Sequence, residues 1–197
     1  MKELIAGVDE AGVGPLAGPV VAAAVILNPK QNIYKLRDSK ILSAIQRDNL
    51  YFKIQNKALA VGLGIASVEE IDQLNIFHAT MLAMERAIKS LSLKPSMVLI
   101  DGRSCPKSAY PMKAIVQGDR LVKTISAASI IAKVTRDRIM EDLHVKFPHY
   151  NFAKHKGYST KEHQRFLTQH GPCEIHRRSF LRVQQAFDKI KISSSDN

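Results

Sequence analysis

Glu3-Leu-Ile-Ala-Gly-Val-Asp-Glu-Ala-Gly-Val-Gly-Pro-Leu-Ala-Gly-Pro-Val-Val-Ala-Ala-Ala-Val-Ile-Leu27 reads as two strands joined by a glycine-rich connection. Residues 3–9 are an apolar run that stops on the acidic pair Asp9 and Glu10, as expected of a buried strand that delivers carboxylates at its end. Residues 20–27, nearly all Val and Ala, form a second buried strand, and residues 59–66 a third. The connection carries Gly12-Val13-Gly14-Pro15 and then Gly18-Pro19. Glycines let a backbone turn tightly and also let it approach a phosphate or ribose with its amides exposed, and the pattern alone leaves both uses open. It lacks the Lys-Ser/Thr ending of a P-loop and the full dinucleotide fingerprint.

Outward from this stretch, strands alternate with helices. Residues 42–57 have helical character, and Ser67 followed by Glu69 and Glu70 has the form of a helix start. Over residues 75–92 the side chains of Phe77, Met81, Met84, Ile88 and Leu91 fall on one helical stripe, expected to be core. Short strands follow at 97–100, running into Asp101-Gly102, and at 114–116, running into Gly118-Asp119. A long helix is expected over 121–146, with Ile125, Ala128, Ile131 and Ala132 inward and Arg136, Asp137 and Arg138 outward, ended by Pro148. Further helices are expected over 161–170 and 180–190, before a disordered tail at 193–197. Three strands followed by strand–helix alternation predict an α/β protein built on a mixed sheet covered by helices.

Composition narrows the class. The chain has 197 residues, 45% hydrophobic and 24% charged, enough to bury a core and too apolar for wholesale disorder. Its 29 Lys and Arg against 18 Asp and Glu leave a net charge of +11, which makes a polyanion the leading partner. Between His144 and Lys191 there are 10 basic and 3 acidic residues and six of the seven histidines, so the excess is concentrated there. A solvated basic face is the alternative to an electrostatic grip. Cys105 and Cys173 are too few for a disulfide scaffold or a cysteine zinc module. The longest apolar stretch, residues 19–27, is far short of the roughly 20 residues that cross a bilayer. Asp9 and Glu10 interrupt the N-terminus before a signal-peptide core develops. A cytoplasmic protein with no membrane segment is expected.

The most informative pattern is that Asp9, Glu10, Asp101 and Asp119 all stand at or just past the ends of apolar runs. In open α/β sheets, strand ends and their loops form the sites, so these carboxylates can converge there. Convergence without cations is repulsive, and hard oxygen ligands suit Mg²⁺ or Mn²⁺. Each acid singly also fits a turn or helix-cap role. Together, in a basic protein, they point to a metal-dependent nuclease or phosphotransferase.

The residues Asp9-Glu-Ala-Gly-Val-Gly-Pro-Leu-Ala-Gly-Pro-Val20, Asp38-Ser-Lys40, Ile100-Asp-Gly102, Gly118-Asp119, Ser126-Ala-Ala-Ser-Ile-Ile-Ala-Lys133 and His155-Lys-Gly-Tyr158, in this order, resemble bacterial ribonuclease HII, a type 2 ribonuclease H. The resemblance implies an RNase H-like mixed sheet flanked by helices, with a C-terminal helical extension. Residues 1–145 would be the catalytic core and 146–192 a basic substrate-binding region. It implies endonucleolytic cleavage of RNA in RNA–DNA hybrids and 5′ to single ribonucleotides embedded in duplex DNA, leaving a 5′-phosphate and a 3′-hydroxyl, by a monomer. Asp9, Glu10, Asp101 and Asp119 would hold Mn²⁺ or Mg²⁺. Tyr158 would stack beneath the deoxyribose at the RNA–DNA junction. Gly12, Val13 and Gly14 would contact the ribose 2′-OH and the adjacent phosphate, although the family loop normally reads Gly-Arg-Gly and here holds Val13. Ser39, Lys40, Lys133, Arg177 and Arg178 are similar to substrate-backbone contacts, each also readable as a solvated surface residue. Two other classes share parts of the pattern: a DNA-cutting two-metal nuclease of the same superfold, and a nucleic-acid-binding protein without metal-dependent turnover.

Overall fold

The computed structural model describes residues 3–34, 36 and 42–195. Ser39 and Lys40 therefore lie outside the described residues. Five strands, β1 (Ile5–Ala11), β2 (Val20–Ile26), β3 (Ala60–Ala66), β4 (Met97–Asp101) and β5 (Met112–Ile115), form one sheet in the order β3-β2-β1-β4-β5. β1, β2 and β3 run antiparallel, whereas β4 and β5 run parallel to β1, which gives the expected mixed sheet.

Helices cover both faces. α1 (Ala44–Lys57) begins at Ser43, whose hydroxyl accepts from the Gln46 N–H while the Gln46 side chain accepts from the Ser43 N–H. α2 (Val68–Lys89) starts on the same device, Ser67 with Glu70. It breaks at Asn75, whose φ is 65° and whose Oδ1 accepts from the N–H groups of Phe77 and His78, so a second helical segment starts where the sequence stripe does. Met84 and Ile88 of that stripe are buried, but Phe77 is 51% exposed. It stands in the first turn after the break.

A one-turn α3 (Gly118–Leu121) and the long α4 (Lys123–Lys146) replace the single helix expected over 121–146, because Val122 is extended between them. Ile71, Ala83, Met84 and Ile88 of α2 pack against Val8, Ala22, Ala24 and Ile100 on one face of the sheet. Leu50 and Ile54 of α1, with Ala127, Ile130, Ile131 and Val134 of α4, pack against Ala23 and Val25 on the other. At Gly7 an added Cβ would collide with the Thr124 carbonyl group, so the glycine lets the start of α4 lie directly on β1.

Beyond α4, a turn of 3-10 helix at Pro148–Tyr150 leads into α5 (Phe152–His155), α6 (Lys161–His170) and α7 (Leu181–Ser195). α7 runs through Ser195, and the rest of the tail expected over residues 193–197 lies outside the described residues. This region packs on the connection between β1 and β2: Leu16 joins Leu167 and Val183, and Ala17 pairs with His176 in an isolated bridge. Among the described residues, no helix is long and apolar enough to cross a membrane.

Candidate active site

Register explains which acids meet. Val8 pairs with Ile100 across the parallel β1/β4 ladder, and both side chains face α2. Because successive side chains alternate, Asp9 and Asp101, the next residue on each strand, face α4 together. Glu10 and Asp119 complete the group at the same end of the sheet; the Asp119 N–H donates to Asp101 Oδ1 at 3.4 Å. Asp9 and Asp119 are buried, and Glu10 and Asp101 are half-buried. The Ser126 hydroxyl of α4 donates to the Asp119 carbonyl and so ties the one-turn helix α3 to α4.

The electrostatics are those of crowded anions. Burial, then the Glu10 and Asp101 carboxylates, hold the Asp9 carboxyl well above the ordinary carboxylate range, against hydrogen bonds from Ser129 and the Glu10 N–H. Burial and the Asp101 carboxylate likewise raise Glu10. Glu10 Oε2 is buried and has no hydrogen-bond partner among the described residues. Among those residues, no three His, Cys, Asp or Glu side chains are drawn in closely enough to form a finished metal shell. The donor set nevertheless fits a hard divalent cation: all oxygen, mutually repulsive, and with one buried lone oxygen to satisfy.

Glu10 opens onto a hollow of about 420 Å³ whose walls include Gly12, Val13, Gly14, Lys133 and Tyr158. Five of the residues expected to act together thus share one cavity wall with Glu10. Arg47, which no sequence pattern marks, and Ser129, within the stretch Ser126–Lys133, also line it. Lys133 is paired with Asp137 at 2.8 Å, and its ammonium lies 5.6 Å from the centre of the Tyr158 ring, which is 41% exposed. An adjoining groove of about 590 Å³ shares Arg47, Lys133 and Tyr158 with the first hollow and adds Arg138, Lys154 and Lys156.

Two arginines depart from expectation. Arg136, expected outward on its helix, is fully buried: its guanidinium donates to the carbonyls of Pro19 (3.0 Å), Lys156 (3.0 Å) and Ala17 (3.1 Å). The signal was available, because 125, 128, 132 and 136 lie on one helical stripe. Arg177, expected to touch substrate, is also fully buried and donates to the carbonyls of Gly12, Val13 (3.0 Å), Pro15 (2.7 Å) and Gly18 (3.0 Å). It holds the loop from inside and has no path to a phosphate. Burial, then the nearby Arg136 charge, push its pKa down to about 9, which leaves it charged at neutral pH.

Arg178 is exposed but lines neither hollow; its N–H donates to Asp72 Oδ2 and its guanidinium lies 5.6 Å from the centre of the Phe187 ring. Gly12 has φ +101°, and an added Cβ would strike the Arg136 side chain, so glycine is required there.

The family model for ribonuclease HII matches residues 6–183. The chain belongs to the ribonuclease HII family. It is 58% identical over 189 residues to the ribonuclease HII of Burkholderia mallei (strain SAVP1), covering 96% of this chain and 88% of that protein. The ribonuclease HII of Burkholderia thailandensis matches to the same extent. Among solved structures, the ribonuclease H2 from Pyrococcus horikoshii OT3 superposes with a TM-score of 0.81 at 28% identity, covering 95% of this chain and 98% of that one. The RNase HII in the PCNA:RNase HII complex from Archaeoglobus fulgidus gives 0.76 at 27% identity, over 92% and 94% of the two chains. Bst-RNase HIII in complex with Mn²⁺ gives 0.72 at 17% identity over 96% of this chain and 71% of that one, a likeness of fold. As a ribonuclease HII, the chain is a ribonuclease H hydrolase acting on RNA–DNA substrates, in a family dependent on divalent metal.

Proposed function

We propose that this ribonuclease HII cleaves the phosphodiester 5′ to a ribonucleotide, both in RNA–DNA hybrids and at single ribonucleotides embedded in duplex DNA, and leaves a 5′-phosphate and a 3′-hydroxyl. Asp9, Glu10, Asp101 and Asp119 are the residues that would hold Mn²⁺ or Mg²⁺. When bound, such ions supply Lewis-acid stabilisation at the attacking and leaving oxygens of an in-line displacement.

The observation that carries this reading is that Glu10, one of the clustered acids, shares a wall of the hollow with the glycine loop. In a trans peptide the N–H points opposite the C=O. Arg177 takes the carbonyls of Gly12 and Val13 inward. The amides of Val13 and Gly14 are thereby turned away from Arg177, on a loop that lines the hollow. Those donors suit a 2′-hydroxyl and its neighbouring phosphate oxygen, the group that distinguishes RNA from DNA. Recognition of this kind uses the backbone, so it survives Val13; what Val13 forgoes is a charge-assisted phosphate contact. Tyr158 offers an exposed ring across the same hollow, as a surface for the deoxyribose at the junction. Lys133 and the cations of the adjoining groove would position the duplex backbone without reading its sequence.

The test is a duplex DNA with one ribonucleotide, an all-DNA control and an RNA–DNA hybrid, each incubated with Mn²⁺, Mg²⁺ or EDTA and mapped for its cut ends. Cleavage 5′ to the ribonucleotide, absent in EDTA and from the all-DNA duplex, is expected. Asp101→Asn should lower the rate on the order of a hundredfold or more while the protein stays folded. Cutting of the all-DNA duplex would instead establish the DNA nuclease of the same superfold, and full activity of Asp101→Asn would remove that acid from the site.

A further inference from the structure

His155, His163 and His176 are buried in the C-terminal region, at 7%, 0% and 0% exposure, and none of them lines the hollow that Glu10 opens onto. The rings of His155 and His163 stack 4.3 Å apart with 14° between their planes. His163 Nε2 and His176 Nε2 stand 3.0 Å apart, so one proton lies between them.

The outer partners decide which ring carries it. His176 Nδ1 is 3.0 Å from the Cys173 backbone nitrogen, whose N–H can only donate, with Cys173 Sγ 3.1 Å from the same ring atom. His176 Nδ1 therefore accepts, and its ring proton is on Nε2. His163 Nε2 must then accept, which leaves its proton on Nδ1, 2.9 Å from the Tyr158 carbonyl oxygen. His155 is fixed by the same logic: Nδ1 accepts from the Gly157 N–H at 3.2 Å, and Nε2–H donates to the Tyr150 carbonyl at 2.6 Å. The result is a one-way chain, from the Cys173 N–H through His176 and His163 to the carbonyl of Tyr158.

That carbonyl also accepts from the Thr160 N–H at 2.8 Å, and the Tyr158 N–H donates to the His155 carbonyl at 2.9 Å. The Gly157 carbonyl accepts from the Leu16 N–H of the glycine loop at 2.8 Å. An exposed ring is thus mounted on a backbone with every polar group committed, next to the loop that shares its hollow.

We infer that His163 and His176 are positioning residues for Tyr158: their paired imidazoles lock the tyrosine backbone, so that its ring meets the sugar at the junction in one orientation. The inference rests on the stacking role given to Tyr158 under Proposed function. Burial keeps both rings neutral, holding His163 down to about 4 and His176 to about 3, which preserves the direction of the chain. Groups one step removed from the substrate matter because small misplacements of an orienting side chain are costly.

Two experiments test it. Long-range ¹H–¹⁵N correlation spectra of the unmodified protein at neutral pH should give the Nδ1–H tautomer for His163 and Nε2–H for His155 and His176; the reverse assignment for His163 or His176 overturns the chain. A double-mutant cycle then measures kcat/KM on the single-ribonucleotide duplex. His163→Ala should lose roughly three- to tenfold in the parent and less than about twofold when combined with Tyr158→Ala, since coupled residues are non-additive. His163→Asn, whose amide can still donate to the Tyr158 carbonyl, should recover most of the loss. Equal losses in both backgrounds, or no recovery by Asn, mark a merely structural role and overturn the inference while leaving Tyr158 in place. Unchanged cleavage by Tyr158→Ala alone would refute the stacking assignment and, with it, the function given to the histidine pair. Should His163→Ala fail to fold, the spectra and the Asn variant still decide.

Discussion

At the scale of single residues, the acids are held where they are least comfortable. Asp9 is buried beside Glu10 and Asp101, and each of these raises the cost of its charge. A site arranged for cations trades stability for function in this way. Asp9→Asn removes one buried charge and its repulsions while keeping the shape. In EDTA it should therefore unfold at a higher temperature than the parent, and it should cleave the ribonucleotide duplex negligibly. Thermal unfolding with and without Mn²⁺ checks both halves, because a cation that binds the folded state raises the parent's midpoint; a lower midpoint for Asp9→Asn in EDTA would contradict the repulsion argument. Asp101 and Asp9 were legible as partners from sequence because a strand end is easily located. The depth of each acid was not, since it depends on how closely α4 lies over Gly7.

At the scale of elements, the connection between β1 and β2 is shaped by arginines that arrive from more than 100 residues away. Arg136 comes from α4 and Arg177 from the segment before α7, and between them they take the carbonyls of Gly12, Val13, Pro15, Ala17, Gly18 and Pro19. A glycine-rich turn has little structure of its own, and each inward carbonyl would be costly to bury unpaired. Arg177→Lys keeps the charge but not the planar fork that reaches several carbonyls at once. It should cost about 3 kcal/mol or more in urea unfolding, and it should impair cleavage further by loosening the loop. An unfolding midpoint like the parent's would show that the loop stands without the guanidinium. The sequence presented Arg177 and Arg178 as a matched basic pair. Only packing separates them, burying the first under the loop and leaving the second against Phe187.

At the scale of the whole molecule, the net charge of +11 divides into different uses. Part of it is internal scaffolding, in Arg136 and Arg177; another part borders the groove beside Tyr158, where Lys133, Arg138, Lys154 and Lys156 each pair with a carboxylate. The C-terminal histidines are likewise divided, with three buried and neutral, and they set the response of the fold to acid. His163 and His176 titrate near 4 and 3 in the folded protein, against about 6.5 when unfolded. Between those values the unfolded chain binds protons that the folded chain refuses, so their contribution to stability is complete above about pH 6.5 and is lost progressively as pH falls from there to the folded pKa of each ring, by up to about 1.4 kcal/mol per pH unit for each ring. Asp9 and Glu10 act in the opposite sense, because raised carboxyls take up protons more readily in the fold. Urea unfolding at pH 7, 5.5 and 4.5 should show stability falling with acid, with a shallower slope in His176→Asn; identical slopes would mean that His176 is not buried neutral. The sequence by itself determined the strands and their apolar faces, the helix start at Ser67, and the four acids at or just past the ends of apolar runs, because alternation, capping and chain breaks are local properties. Tertiary structure alone decided which charges face substrate and which hold the backbone, because a long cationic side chain is placed by whatever carbonyls and carboxylates the fold brings within its reach, and those lie far away in the chain.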